Sequence, residues 1–132
     1  RKINDLGVKV INIGFRNFID EKLNDKLYSI PLIDDFSIKN IRNKLLNIIG
    51  ENKKIYLSID VDVLDPLVFP FVNSPVSCGL LPREVFTIIK TIIIDYCVLG
   101  IDINEYNPQK DVLGTGKHYV KFLIDYFIQN WN

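Results

Sequence analysis

The sequence predicts an α/β fold, a three-layer α/β/α arrangement around a mostly parallel sheet, and three observations carry that expectation. Short β-branched runs alternate with longer stretches of helical periodicity, the pattern of successive β-α-β units. The clearest strand segments, "KIYLSI" (54–59) and "CVLGIDI" (97–103), are largely apolar, as parallel strands covered on both faces should be. Carboxylates gather where these segments finish: Asp60 and Asp62 after the first, Asp102 and Glu105 at the second. Open parallel sheets bind ligands beyond the carboxyl ends of their strands.

The elements follow in order. Val8–Gly14 (VKVINIG) is a short strand ending in glycine, and residues 15–28 are charged and mixed, a loop or short helix. Ser29–Ile33 forms a second short strand. Ser37 opens the helix "SIKNIRNKLLNIIG", with Ile38, Ile41, Leu45 and Ile48–Ile49 on one face and Gly50 as the stop. After the strand at 54–59, residues 60–80 form a long loop rich in Pro, Ser, Asn and Gly. Leu81-Pro82-Arg83-Glu84 starts a second helix, with proline in the first turn, running to about Ile94. Another strand covers Cys97–Ile103, "NEYNPQKD" is a loop, and Gly116–Ile128 is the last helix.

At 132 residues the chain is one domain at most, large enough to bury a core. Sixteen basic residues balance sixteen acidic ones, so charge offers no reason to expect nucleic acid or an anionic membrane as partner. No apolar run approaches the ~20 residues that span a bilayer. The two thiols, Cys78 and Cys97, are expected to be reduced, and the protein cytoplasmic. The chain lacks Met and opens on Arg1, so it is expected to begin inside a longer protein.

"IYLSIDVDVLDP" places Asp60, Asp62 and Asp65 at the end of a core-like strand. In an extended segment residues two apart share a face, roughly 6.5–7 Å apart at Cα, so Asp60 and Asp62 can address one site while Val61 faces away. Adjacent carboxylates raise one another's pKa unless a cation lies between them, and hard oxygen donors suit Mg²⁺, Ca²⁺ or Mn²⁺. The alternative is a solvated strand end. Asp65-Pro66 reads as a turn former. An EF-hand is excluded, because the glycine and glutamate its loop requires are absent. A strand followed by D-x-D also fits a phosphotransferase of the haloacid-dehalogenase type with Asp60 as nucleophile, although Val63-Leu64 follow where a small or hydroxyl residue is usual.

Three ordered motifs widen the pattern. "SIDVDVLDP", "NSPVSCGLLPRE" and "GIDINEYNP..D" resemble the carboxyl-terminal half of the ureohydrolases, the arginase and agmatinase family, and "VINIGFR" resembles that family's strand ending in Gly-x-Arg. The likeness runs over residues 8–128 and implies an arginase-like fold. It implies that Asp60 bridges two Mn²⁺ ions, that Asp62 ligates one of them, and that Glu105 receives the substrate's guanidinium. A carboxylate suits that planar cationic fork. Ser74 stands where the family has a site threonine. Asp102 is either an orienting residue behind the metal or a plain strand-end acid. The implied activity is hydrolysis of a small guanidinium compound, agmatine or an arginine-like one, with release of urea. The implied assembly is a homo-oligomer, trimer or hexamer.

The sequence also departs from that pattern. Asn73-Ser74-Pro75 replaces Gly-Thr-Pro, Cys78-Gly79 replaces Gly-Gly, and Phe71-Val72 stand where small residues are usual, which is expected to narrow the pocket. The family's remaining ligands lie in His-containing motifs of its amino-terminal half, whereas the single histidine here, His118, falls inside the last helix as a solvated residue. The 132-residue chain alone is therefore expected to be inactive and poorly stable. A non-catalytic relative serving as a binding or assembly module is the alternative reading.

Overall fold

The computed structural model describes residues 8–16, 27–31, 37–51 and 53–131. Among the described residues four strands and three helices follow in the expected order, β1 (Val10–Phe15), β2 (Leu27–Pro31), α1 (Ile38–Ile49), β3 (Lys54–Asp60), α2 (Pro82–Asp95), β4 (Cys97–Asn104), α3 (Thr115–Gln129). The second strand begins two residues before its predicted start, and the expected loop or helix around 17–26 lies outside the described residues.

Local chemistry sets the helix ends. The Ser37 hydroxyl accepts the amide of Asn40 at 3.2 Å to cap α1. Gly50, at φ +84°, closes it by donating its amide to the Leu46 carbonyl. Pro82 occupies the first turn of α2, where its missing amide costs nothing, and the Glu84 carboxylate accepts the Leu81 amide at 2.8 Å.

Among the described residues both strand ladders are parallel. β1 pairs with β2, and β3 pairs with β4 in a register that sets Ser58 beside Asp102 and Asp60 beside Asn104. Among the described residues no ladder joins the two pairs. Helix α2 packs against both α1 and α3. Its Val85, Ile88, Ile89, Ile92 and Ile93 are buried with Ile41 and Leu45 of α1 and with Leu123 and Phe127 of α3. Each such side chain contributes about 1.5–3 kcal/mol of burial. A forked pair from Arg42 to Asp95, 2.6 and 2.8 Å, ties α1 to the end of α2.

Strand β3 departs from the expectation that both faces are covered. Ile59 is buried in the core and Ile55 and Leu57 are half-buried against it, whereas Lys54, Tyr56, Ser58 and Asp60 are exposed. The period of two along an apolar-looking run follows from there being one covered face. Towards the strand ends the open face is polar: Ser58 donates to Asp102 at 2.6 Å, and the Asn104 amide donates to the Ser58 hydroxyl at 3.2 Å. No described helix is long and apolar enough to cross a membrane.

Candidate active site

The carboxyl ends of β3 and β4 lie side by side, and the site is built from the two segments that leave them. At the first, Asp60 Oδ1 accepts the amide of Asp62 at 3.4 Å and opens a 3-10 turn, Val61–Val63. Asp62 is thus in a turn rather than in the extended segment expected. Val61 is 1% exposed, so the turn still points the apolar residue inward and leaves both acids on the outer side. Burial of its inner side, the Asp62 charge and, more weakly, the Glu105 charge push the Asp60 carboxyl up to about 6.

Residues 60–80 are more ordered than a loop. Leu64 and Leu80 form a parallel bridge, and the Asp65 carboxylate accepts the amides of Leu67 at 2.9 Å and Gly79 at 3.0 Å. These bonds, the Leu67 amide first, hold Asp65 below the usual carboxylate range. Asp65 is therefore the turn-forming residue its proline suggested. A Cβ on Gly79 would lie 2.4 Å from the Asp65 nitrogen, so glycine is required there. Cys78 sits at φ +63°, the left-handed region that favours glycine, in keeping with its standing in a glycine position. Both cysteines are free and exposed. Phe71 and Val72 do not crowd the rim: Val72 is 1% exposed, and Phe71 packs edge-on against Phe69 at 5.1 Å.

The strand end of β1 joins the same region. Arg16 donates to the backbone carbonyls of Asp62 and Val76, bracing the loop. Gly14, at φ +95°, lies so close to Val63 that a Cβ would come within 2.4 Å of its methyl carbon.

At the second segment Glu105 is exposed and adopts φ +64°, a left-handed conformation uncommon for a residue with a side chain. Tyr106 then forms an antiparallel bridge with Val72, and Asn107 donates its backbone amide to the Phe71 carbonyl at 2.8 Å and its side-chain amide to Asn73 at 2.7 Å. Lys110 reaches the Val72 carbonyl at 2.8 Å. This clasp brings the segment bearing Ser74, itself exposed, against the segment bearing Glu105. Asp102 is bonded to Ser58 and Asn104 and lies below the usual carboxylate range, chiefly through the Ser58 hydroxyl. His118 is exposed on α3, as expected.

Sequence reasoning assigned no role to Asp111, the last residue of the third motif. It is 7% exposed, and its Oδ2 accepts the Tyr106 hydroxyl and the Lys117 amide, both at 2.7 Å. Burial pulls its pKa upward, but these bonds and the amides of Gly116 and Gly114 outweigh it, and the net displacement is downward. The usable signal was an acid just ahead of a Gly-Thr-Gly helix start. Asp111 anchors both Tyr106 and the start of α3.

Two carboxylates that repel each other in the absence of a cation fit one side of a hard divalent-ion site. Among the described residues no third His, Cys, Asp or Glu completes a ligand group.

Parallel strands interleaved with helices place the chain in the α/β class, with the arginase-like architecture. The sequence matches the arginase family over residues 1–128, and the chain belongs to that family. It is 31% identical over 117 residues to an arginase of Coccidioides immitis, covering 89% of this chain and 36% of that protein. To an agmatinase of Neisseria gonorrhoeae it is 30% identical over 101 residues, covering 76% of this chain and 32% of the relative. A crystal structure described as a hypothetical agmatinase from Burkholderia thailandensis superposes with a TM-score of 0.77 at 20% identity, over 92% of this chain and 38% of the other. The chain thus spans about a third of the length of the relatives it matches.

Proposed function

We propose that this chain supplies the carboxyl-terminal ligand and substrate rim of a manganese ureohydrolase that hydrolyses a small guanidinium compound, agmatine or arginine-like, to release urea. The observation that carries the reading is the register of β3 with β4, which sets Asp60 beside Asn104 and hence next to Glu105, with Asp62 one turn away. Asp60 and Asp62 are the residues that would hold Mn²⁺ from this side, with further donors needed to complete the site. Such an ion, once bound, supplies Lewis-acid activation of water near neutral pH. Glu105 would pair with the guanidinium through two parallel hydrogen bonds, and its left-handed backbone is the kind of strain that surrounding structure sustains at ligand contacts. Ser74 would offer a hydroxyl on the adjoining segment. Cytoplasmic location and a homo-oligomeric assembly belong to the same reading.

A titration of Mn²⁺ into the purified chain, followed through the electron paramagnetic resonance signal of the free ion, tests the metal assignment. Weak uptake that disappears in Asp60→Asn and in Asp62→Asn is expected; equal uptake by the double variant overturns it. In the assembled enzyme Asp60→Asn should abolish manganese-dependent urea release, and normal turnover would sink the catalytic reading.

A further inference from the structure

We propose that Asn73 is a positioning residue for substrate recognition: its side chain ties the segment bearing the Ser74 hydroxyl to the segment bearing the Glu105 carboxylate, and that tie sets the affinity for a guanidinium group. This role rests on the ureohydrolase reading above and adds to it a residue that itself touches no substrate.

The Asn107 side-chain oxygen accepts the Gln109 amide at 2.9 Å, which turns its NH₂ group toward position 73, where it donates to Asn73 Oδ1 at 2.7 Å. An amide group held that way needs an acceptor opposite it. Glycine, which the ureohydrolase pattern has at position 73, brings no side-chain acceptor, so the bond belongs to this sequence. Asn73 immediately precedes Ser74, and Asn107 lies two residues beyond Glu105. The bond therefore joins the two candidate substrate contacts by a short path. The Phe71 and Val72 carbonyls are held by the Asn107 backbone amide and by Lys110, both at 2.8 Å. At residue 73 the ties are the side-chain bond and a longer reach, 3.5 Å, from Lys110 to its carbonyl. On the far side of Ser74, Arg16 holds the Val76 carbonyl. Without the Asn73 side chain, Ser74 keeps a firm anchor on one side alone.

A guanidinium is a planar fork with its donors at fixed angles. Acceptors on two segments engage it together when their spacing is held beforehand, and freedom between them weakens binding. Among the described residues Asn73, Asn107 and Lys110 make no hydrogen bond to the turn that carries Asp60 and Asp62, so losing the tie acts on binding of substrate rather than on its turnover. Asn73 is exposed, and the fold does not depend on its side chain.

The test is steady-state urea release by the assembled, manganese-loaded enzyme with agmatine and with arginine, for the parent, Asn73→Ala and Asn73→Asp. Asn73→Ala should raise KM about five- to ten-fold for the better substrate, with kcat within about two-fold of the parent and an unchanged melting temperature. Asn73→Asp keeps an acceptor in the same place and should return KM to the parent value or below it. If Asn73→Ala fails to fold, Asn73→Leu, similar in size and without an acceptor, takes its place against Asn73→Asp. Three results overturn the positioning role while leaving the ureohydrolase reading intact: a parent-like KM without the acceptor; a loss confined to kcat; or the same rise in KM in Asn73→Asp. A parent enzyme that releases no urea from either compound overturns the ureohydrolase reading, and the positioning role with it.

Discussion

Asp65 and Asp111 use their carboxylates differently from Asp60. Asp65 uses both oxygens on partners inside the chain, the Leu67 and Gly79 amides, and Asp111 uses Oδ2 on the Tyr106 hydroxyl and the Lys117 amide, while its buried Oδ1 makes no hydrogen bond among the described residues. Both titrate below the usual range. Asp60 receives a single long bond from its neighbour's amide, faces Asp62 across one turn, and titrates above the range. A carboxylate that accepts bonds from amides and hydroxyls of its own chain builds structure. One that faces other carboxylates has its ionised form disfavoured until something positive arrives.

The largest effect should come from breaking the structural group. Gly79→Ala places a Cβ 2.4 Å from backbone that cannot give way, and a loss of about 3 kcal/mol is expected in urea unfolding. Unchanged stability would mean that the loop around Asp65 is not held as described. Asp111→Ala should come next, lowering the melting temperature by roughly 5–10 °C, because the Tyr106 hydroxyl and the first turn of α3 lose their shared acceptor. A variant that melts like the parent would remove Asp111 from the structural side of the comparison.

A smaller effect separates the groups by sign. The folded-state pKa of Asp60, about 6, lies above its ordinary value of 3.8. Over that interval the folded chain holds a proton the unfolded chain has released, so this contribution is full below about pH 4 and is lost as pH rises through 6. Asp65 behaves oppositely: its depressed pKa contributes stability above pH 4 that is lost as pH falls. Asp60→Asn should therefore flatten the decline towards neutral pH, by less than about 1 kcal/mol because solvent screens an exposed acid. Asp65→Asn should instead flatten the acid limb. Melting curves from pH 3 to 8 decide, and a common sign for the two would collapse the distinction. Smallest of all, Arg42→Ala should shift melting by no more than about 2 °C, since the Arg42 side chain is 55% exposed. A larger shift would mark the far end of α2 as a third region with structural demands of its own.

Much of this was legible in the residues. Ser37 and Gly50 bracket α1, and Pro82 with Glu84 opens α2, because caps act through bonds to amides within one turn and need no distant partner. The strand-end position of Asp60 and Asp62 was equally readable, since it depends only on where an apolar run stops. Asp111 escaped because its partners, Tyr106 and Lys117, become partners only once the 3-10 turn at Pro108–Lys110 and the start of α3 fold the segment back on itself. Phe71 and Val72 were expected at the rim and point into the core, a choice made by the Val72–Tyr106 bridge between distant segments.

Alone, the sequence determined the α/β class, the helix limits, the family and the cluster of acids at the strand ends. These follow from short-range periodicity, capping and motif spacing, which neighbouring residues set between themselves. Only the tertiary structure decided which face of β3 is open, which acids are spent on amides, and that the Asn73 and Asn107 side chains meet. Those outcomes depend on which residues meet after the chain has folded, and burial and electrostatic coupling have no value until they do.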